Sequence, residues 1–113
     1  MQIRRLLATF VLLAALPMLA AAQTPKPATA RIAVASNFAD AARALAADYG
    51  RRSGHRIEIS AASTGKLYAQ IRNGAPFDAL LSADAATPRK LVDEGLADGA
   101  TLHDYAVARL VLW

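Results

Sequence analysis

The chain has 113 residues, no cysteine and a formal net charge of +4 at neutral pH, and this length allows one modest domain. The lack of cysteine excludes a disulfide scaffold and zinc–thiolate sites. Charges of both signs are scattered along the chain without a basic stripe, so a nucleic-acid partner is not expected.

The first 22 residues have the three parts of a secretory signal peptide. Arg4 and Arg5 form a basic start, 6–19 is an almost uninterrupted apolar run, and three alanines end at Ala22. The run is shorter than the ~20 residues that cross a bilayer, which favours cleavage after Ala22 over an uncleaved membrane anchor. The mature chain then lacks two arginines and is only mildly basic, and we expect it to be exported to the periplasm.

Strand and helix patterns alternate after a leader. Residues 23–30 contain two prolines and predict a flexible leader. Alternating or apolar runs of β-branched and aromatic residues predict four strands, at 31–35, 56–61, 77–82 and 105–113. Helical spacing of apolar residues predicts three helices, at 38–52, at 66–73 and from Thr87-Pro88 to Gly95. Ser36-Asn37 and Thr87 are predicted to cap the first and third of these helices.

This alternation predicts an α/β fold with an open, largely parallel sheet flanked by helices. The sequence stops at 110–113, inside its most apolar late segment, and a bare apolar strand edge invites aggregation. We therefore expect 31–113 to be the N-terminal part of a larger solute-binding domain. A small complete domain whose last strand is buried is the alternative.

Hydroxyl groups follow the first two predicted strands. Ser36 lies in the first strand–helix turn, and Ser63, Thr64 and Gly65 form the second. In an open parallel sheet such turns lie at one edge, where ligands bind, and helix N-termini add unpaired N–H groups and a favourable dipole for anions. The pattern predicts a donor-rich, uncharged site that suits a fully ionised oxyanion, with no catalytic residue and no cofactor.

A partial phosphate-binding motif and two histidines do not predict a catalytic or metal site. Residues 63–66 resemble the tail of a phosphate-binding P-loop, but Ser60 and Leu67 stand where that motif needs glycine and a hydroxyl residue. His55 and His103 lie outside any hydrolase or zinc motif, so both are predicted to be solvated surface histidines.

Two carboxylates and one lysine have simple structural explanations. Asp78 and Asp84 flank the third predicted strand, and we interpret them as a strand-edge group and a turn residue rather than as a carboxylate pair. Lys66 is expected to be an exposed helix residue.

Four segments together carry a resemblance to a known family: 31–40 (RIAVASNFAD), 62–77 (ASTGKLYAQIRNGAPF), 78–84 (DALLSAD) and 105–113 (YAVARLVLW). They resemble the molybdate-binding proteins of bacterial ABC importers. The resemblance covers nearly all of the mature chain and the first third to half of such a protein.

The resemblance implies the first lobe of a two-lobed periplasmic binding protein that closes on molybdate or tungstate and delivers it to an inner-membrane permease. It implies a monomer that is not an enzyme and holds the ion with hydroxyl and N–H groups. Ser36 matches the serine after the first strand, and Thr64 matches the hydroxyl residue of the second loop. Both would contact the oxygens of the molybdate rather than the metal, with Ser63 and the Gly65 amide close by. Asn37 departs from relatives that have a second serine there.

Three other functions are compatible with the sequence. The chain could bind another anion, such as sulfate, or an organic solute, because one fold hosts many ligands. It could be an exported enzyme that acts on phosphoryl or acyl groups through Ser36 or Thr64, or a fragment that binds nothing.

Overall fold

A computed structural model describes residues 26–109 and 111–112 of the chain. The predicted signal peptide and residues 23–25 of the predicted leader lie outside this range. Within it the chain forms three strands, β1 (Thr29–Ala35), β2 (Arg56–Ala62) and β3 (Ala79–Leu81). β1 therefore begins two residues earlier than the sequence pattern predicts.

The three strands form one parallel sheet in the order β2-β1-β3. β1 pairs along its whole length with β2, from Thr29 opposite Arg56 to Ala35 opposite Ala62. The open, parallel α/β architecture predicted from the sequence is thus confirmed.

Three helices connect and follow the strands: α1 (Ala39–Ser53), α2 (Thr64–Arg72) and α3 (Ala86–Asp93). The step from β1 to β2 and the step from β2 to β3 run in opposite directions across the sheet, so right-handed crossovers place α1 and α2 on opposite faces. α1 ends at Gly54, which has a left-handed φ of 73° and donates its N–H to the Gly50 carbonyl. This conformation costs glycine little.

A small aliphatic core lies between the sheet and the helices. Its buried members are Ala33, Val34, Ala35, Ala39, Ala42, Leu67 and Leu91. On the α1 side, Ile32 and Ile59 face Leu45 and Tyr49 across an apolar cavity of about 310 Å³. Leu45 is 62% exposed, so this face is more thinly covered than the α2 face, where Leu67 is fully buried.

The fourth predicted strand is wrong over the residues that are described. Residues 105–109 and 111–112 adopt no regular structure, and Val107 and Leu112 are exposed. Strand propensity reflects packing on a pleated surface, and within the described chain no strand pairs with this segment. Among the described residues, none of the helices combines the length and apolar character needed to cross a bilayer.

Candidate functional site

The carboxyl ends of β1 and β2 lie side by side. Ala35 and Ala62 are paired in the register, and Ser36 and Ser63 are the next residues of their chains. Adjacent strands are ~4.8 Å apart, so the two turns open on the same edge of the sheet. The predicted placement of both turns on one edge is confirmed, whereas their contact with an anion remains a prediction.

The turn after β1 differs from the predicted helix cap. Ser36, Asn37 and Phe38 form a short 3-10 turn before α1, with Ala35 and Phe38 at the two N-cap positions and no side-chain cap bond at either. The prediction that Ser36-Asn37 caps the helix is therefore wrong. Ser36 is exposed at the edge of the sheet.

The turn after β2 leads directly into α2. Ser63 is the N-cap residue and makes no side-chain cap bond, and Thr64 and Gly65 belong to the first helical turn, two residues before the predicted helix start. The first N–H groups of a helix have no intrahelical acceptor and carry the positive end of its dipole. Thr64 is half-buried, and its Oγ1 accepts a hydrogen bond from the Ala83 N–H at 3.3 Å.

A third turn, after β3, reaches the same edge. Ser82 is buried, and its Oγ accepts the Asp84 N–H at 3.2 Å. Asp84 in turn accepts the Thr87 N–H at 2.7 Å and the Thr87 hydroxyl at 3.2 Å. Asp84 is thus a turn residue, as expected, but Thr87 lies inside α3 and the predicted Thr87 cap is wrong.

Tyr105 contacts two of the turns at this edge, whereas the sequence pattern assigned it only to a strand. Its hydroxyl donates to the Ser82 carbonyl oxygen at 2.9 Å. Its ring lies 5.3 Å from the ring of Phe38, in the turn that begins with Ser36. An isolated aromatic residue in an apolar run carries no local signal of such a contact.

The remaining sequence candidates lie away from this edge or take no part in it. Asp78 lies at the start of β3, where its carboxylate accepts the Arg31 N–H at 2.7 Å, so Asp78 and Asp84 flank opposite ends of the strand and form no pair. His103 is exposed, as predicted. His55 is instead half-buried, and its Nδ1 accepts the Ala28 N–H at 3.1 Å. Lys66 is exposed on α2, in agreement with its prediction.

Polar groups line the edge, and two cavities of the described chain lie away from it. One of about 490 Å³ lies beside Arg43, His55 and Arg56, and the other is the apolar cavity under α1; neither includes Ser36 or Thr64. Residues 26–109 and 111–112 contain no group of three or more His, Cys, Asp or Glu side chains that could hold a metal ion. The donors at the edge are neutral hydroxyl and N–H groups.

A parallel α/β lobe with donor-lined turns at one sheet edge defines a class of ligand-binding domain, and the comparisons with known proteins place the chain within that class. The profile of the family described as bacterial extracellular solute-binding protein matches residues 30–113. The chain belongs to this family. Its relatives are solute-binding proteins rather than enzymes.

Two curated relatives and two solved structures are similar to the chain. Molybdate-binding protein ModA of Rhodobacter capsulatus is 43% identical over 81 residues, which cover 72% of this chain and 32% of the relative. The ModA protein of Azotobacter vinelandii is 42% identical over 86 residues, covering 76% and 34%. The solved periplasmic molybdate-binding protein of A. vinelandii superposes with a TM-score of 0.57 at 39% identity, covering 58% of this chain and 29% of that one.

A substrate-binding domain of an ABC transporter from Clostridium difficile superposes with a TM-score of 0.56 at 24% identity, covering 59% of this chain and 30% of that one. This likeness concerns the fold alone. The chain spans about a third of the length of the curated relatives that it matches.

Proposed function

We propose that this protein captures molybdate or tungstate and delivers it to an ABC permease of the inner membrane. The observation that carries the proposal is the pairing of Ala35 with Ala62, which brings Ser36 and the Ser63–Gly65 turn to one sheet edge. Each turn offers neutral donors there, and the second adds the N-terminus of α2.

A fully ionised oxyanion suits this set of donors. Molybdate and tungstate carry two negative charges on four oxygens that only accept hydrogen bonds. Ser36 and Thr64 would donate their hydroxyl protons to two of those oxygens, and the Gly65 N–H and the Ser63 hydroxyl would serve as neighbouring donors. The Thr64 oxygen already accepts the Ala83 N–H, which leaves its proton for an external acceptor. These residues contact oxygens rather than the metal, and no further cofactor is required.

The names of the relatives support the choice of ion. Two curated relatives above 40% identity are named molybdate-binding proteins. Sulfate has the same charge and shape, so selection against it depends on the size of the complete cavity. Sulfate or another oxyanion is therefore the second candidate. An exported phosphoryl- or acyl-handling enzyme is disfavoured by membership in a family of binding proteins.

The same proposal covers location and partners. Residues 1–22 serve as a cleaved signal peptide, and a leader follows that ends where β1 begins at Thr29. The rest of the chain serves as the N-terminal lobe of a two-lobed, monomeric, periplasmic receptor. The remaining donors to the ion come from the second lobe, which closes on it.

Isothermal titration calorimetry of the purified full-length protein tests the proposal. Molybdate and tungstate should each bind at one site, and sulfate and phosphate should bind far more weakly. Heat from sulfate or phosphate, with none from molybdate or tungstate, would contradict the proposal.

A further inference from the structure

One peptide group at the sheet edge is held from both sides by side chains that are distant in sequence. The carbonyl oxygen of Ser82 accepts the Tyr105 hydroxyl at 2.9 Å. The N–H of the same peptide group, which belongs to Ala83, donates to Thr64 Oγ1 at 3.3 Å. Tyr105 and Thr64 are thereby joined through a single peptide plane.

This arrangement affects how Thr64 presents its proton. A hydroxyl has one donor and two acceptor sites, and the Ala83 N–H occupies one acceptor site. Hydrogen bonds in a chain polarise one another, so a donor on the Ser82 carbonyl makes the Ala83 N–H a stronger donor to Thr64. Thr64 then becomes a stronger donor toward an anion at the edge.

A second contact holds Tyr105 in place independently of its hydroxyl. Its ring packs against Phe38 at 5.3 Å with the planes tilted by 54°, a geometry that aromatic pairs favour. Phe38 ends the 3-10 turn that Ser36 begins. Tyr105 therefore contacts the turn after β1 through its ring and the turn after β3 through its hydroxyl.

We propose that Tyr105 is a positioning residue for the oxyanion site, acting on Thr64 through the Ser82–Ala83 peptide group. This inference rests on the proposed function. In the described structure the Tyr105 hydroxyl is engaged with the protein, so Tyr105 orients a ligand-binding hydroxyl and does not itself bind the ion.

The test compares Tyr105→Phe with a matched tyrosine in the full-length protein. Tyr105→Phe keeps the ring against Phe38 and removes the hydroxyl. We expect the Kd for molybdate to rise about two- to fourfold, because the lost bond strengthens the bond from Thr64 to the ion only by polarising it. Tyr68→Phe is the control, because the Tyr68 hydroxyl also donates a hydrogen bond, to Glu94 at 2.6 Å, which does not involve the Ser82–Ala83 peptide. Its Kd should match that of the wild type.

Double-mutant cycles separate positioning from general stabilisation. In a Thr64→Val background, Tyr105→Phe should cause no further loss of affinity. In a Ser36→Ala background, the same change should raise the Kd by about two- to fourfold, as it does in the wild type. An equal loss in both backgrounds, or a Kd that Tyr105→Phe leaves unchanged, would overturn the inference while the proposed function stands.

A measurement without ligand completes the test. Tyr105→Phe should speed hydrogen exchange at the Ala83 amide and shift its NMR resonance, and Tyr68→Phe should do neither. If Tyr105→Phe changes neither the hydrogen-exchange rate nor the NMR resonance of the Ala83 amide, the inference is overturned, whichever ion the protein binds. If the wild type binds neither molybdate nor tungstate, the proposed function fails, and this inference fails with it.

Discussion

Ala35 and Ala62 face each other as the last paired residues of β1 and β2, and the chain leaves both strands at the same level of the sheet. Ser36 and Ser63 consequently occupy equivalent positions just beyond it. In parallel sheets this edge is where ligands bind. The candidate site thus follows from the register of two strands rather than from any single motif.

Removal of either principal hydroxyl should weaken oxyanion binding. Ser36→Ala and Thr64→Val each delete one donor to a charged ligand, and we expect the Kd for molybdate to rise about tenfold or more. Ser60→Ala serves as the control, because Ser60 is also exposed but lies within β2. Titration calorimetry measures all three variants, and wild-type affinity in both Ser36→Ala and Thr64→Val would rule out the site.

A methyl group at position 65 should weaken ligand binding without lowering the stability of the fold. A Cβ on Gly65 would meet no atom within 4 Å, and alanine favours a helix more than glycine does, so Gly65→Ala should not lower the free energy of unfolding. If the ion approaches the Gly65 amide, the methyl group crowds it and the Kd rises. Urea denaturation and calorimetry on the same variant give both results. Lower stability together with unchanged affinity would contradict this prediction.

The two sides of the sheet should respond differently to loss of leucine. Leu67 is fully buried, and Leu67→Ala should lower the free energy of unfolding by about 2–5 kcal/mol. Leu45→Ala removes the same atoms from a side chain that is 62% exposed, and we expect a loss of less than about 1 kcal/mol. Chemical denaturation compares the two variants, and similar losses would show that the α1 face is covered more fully in solution.

Asp84 should contribute to the start of α3 more than to ligand affinity. Its carboxylate accepts the Thr87 N–H at 2.7 Å, so Asp84→Ala should cost about 1 kcal/mol of stability, as the loss of a helix cap does. Asp93→Ala is the control, since Asp93 is exposed at the last residue of α3. Thermal unfolding measures both variants. A midpoint for Asp84→Ala that equals the midpoint for Asp93→Ala would exclude the capping role.

Errors in the sequence-based predictions concentrate where a side chain has more than one possible partner. Serine and threonine ahead of a helix predict caps, yet neither Ser36 nor Thr87 occupies an N-cap position. The apolar residues from Tyr105 onward predict a strand, but strand formation needs a neighbour, and Tyr105 instead contacts Phe38 and Ser82. His55 resembles a surface residue in the sequence, and it becomes a hydrogen-bond acceptor only because β2 brings it next to Ala28.

The sequence by itself determined the order of the first three strands and of the three helices, the parallel sheet and the places where glycine ends a helix, such as Gly54. These features depend on backbone preference and on apolar spacing between near neighbours in the chain. Only the tertiary structure decided that the turn after β3 joins the site and that Tyr105 and Thr64 hold one peptide group. Those contacts link residues 23 and 19 positions apart, and a pattern of near neighbours carries no information about which distant groups the folded sheet brings together.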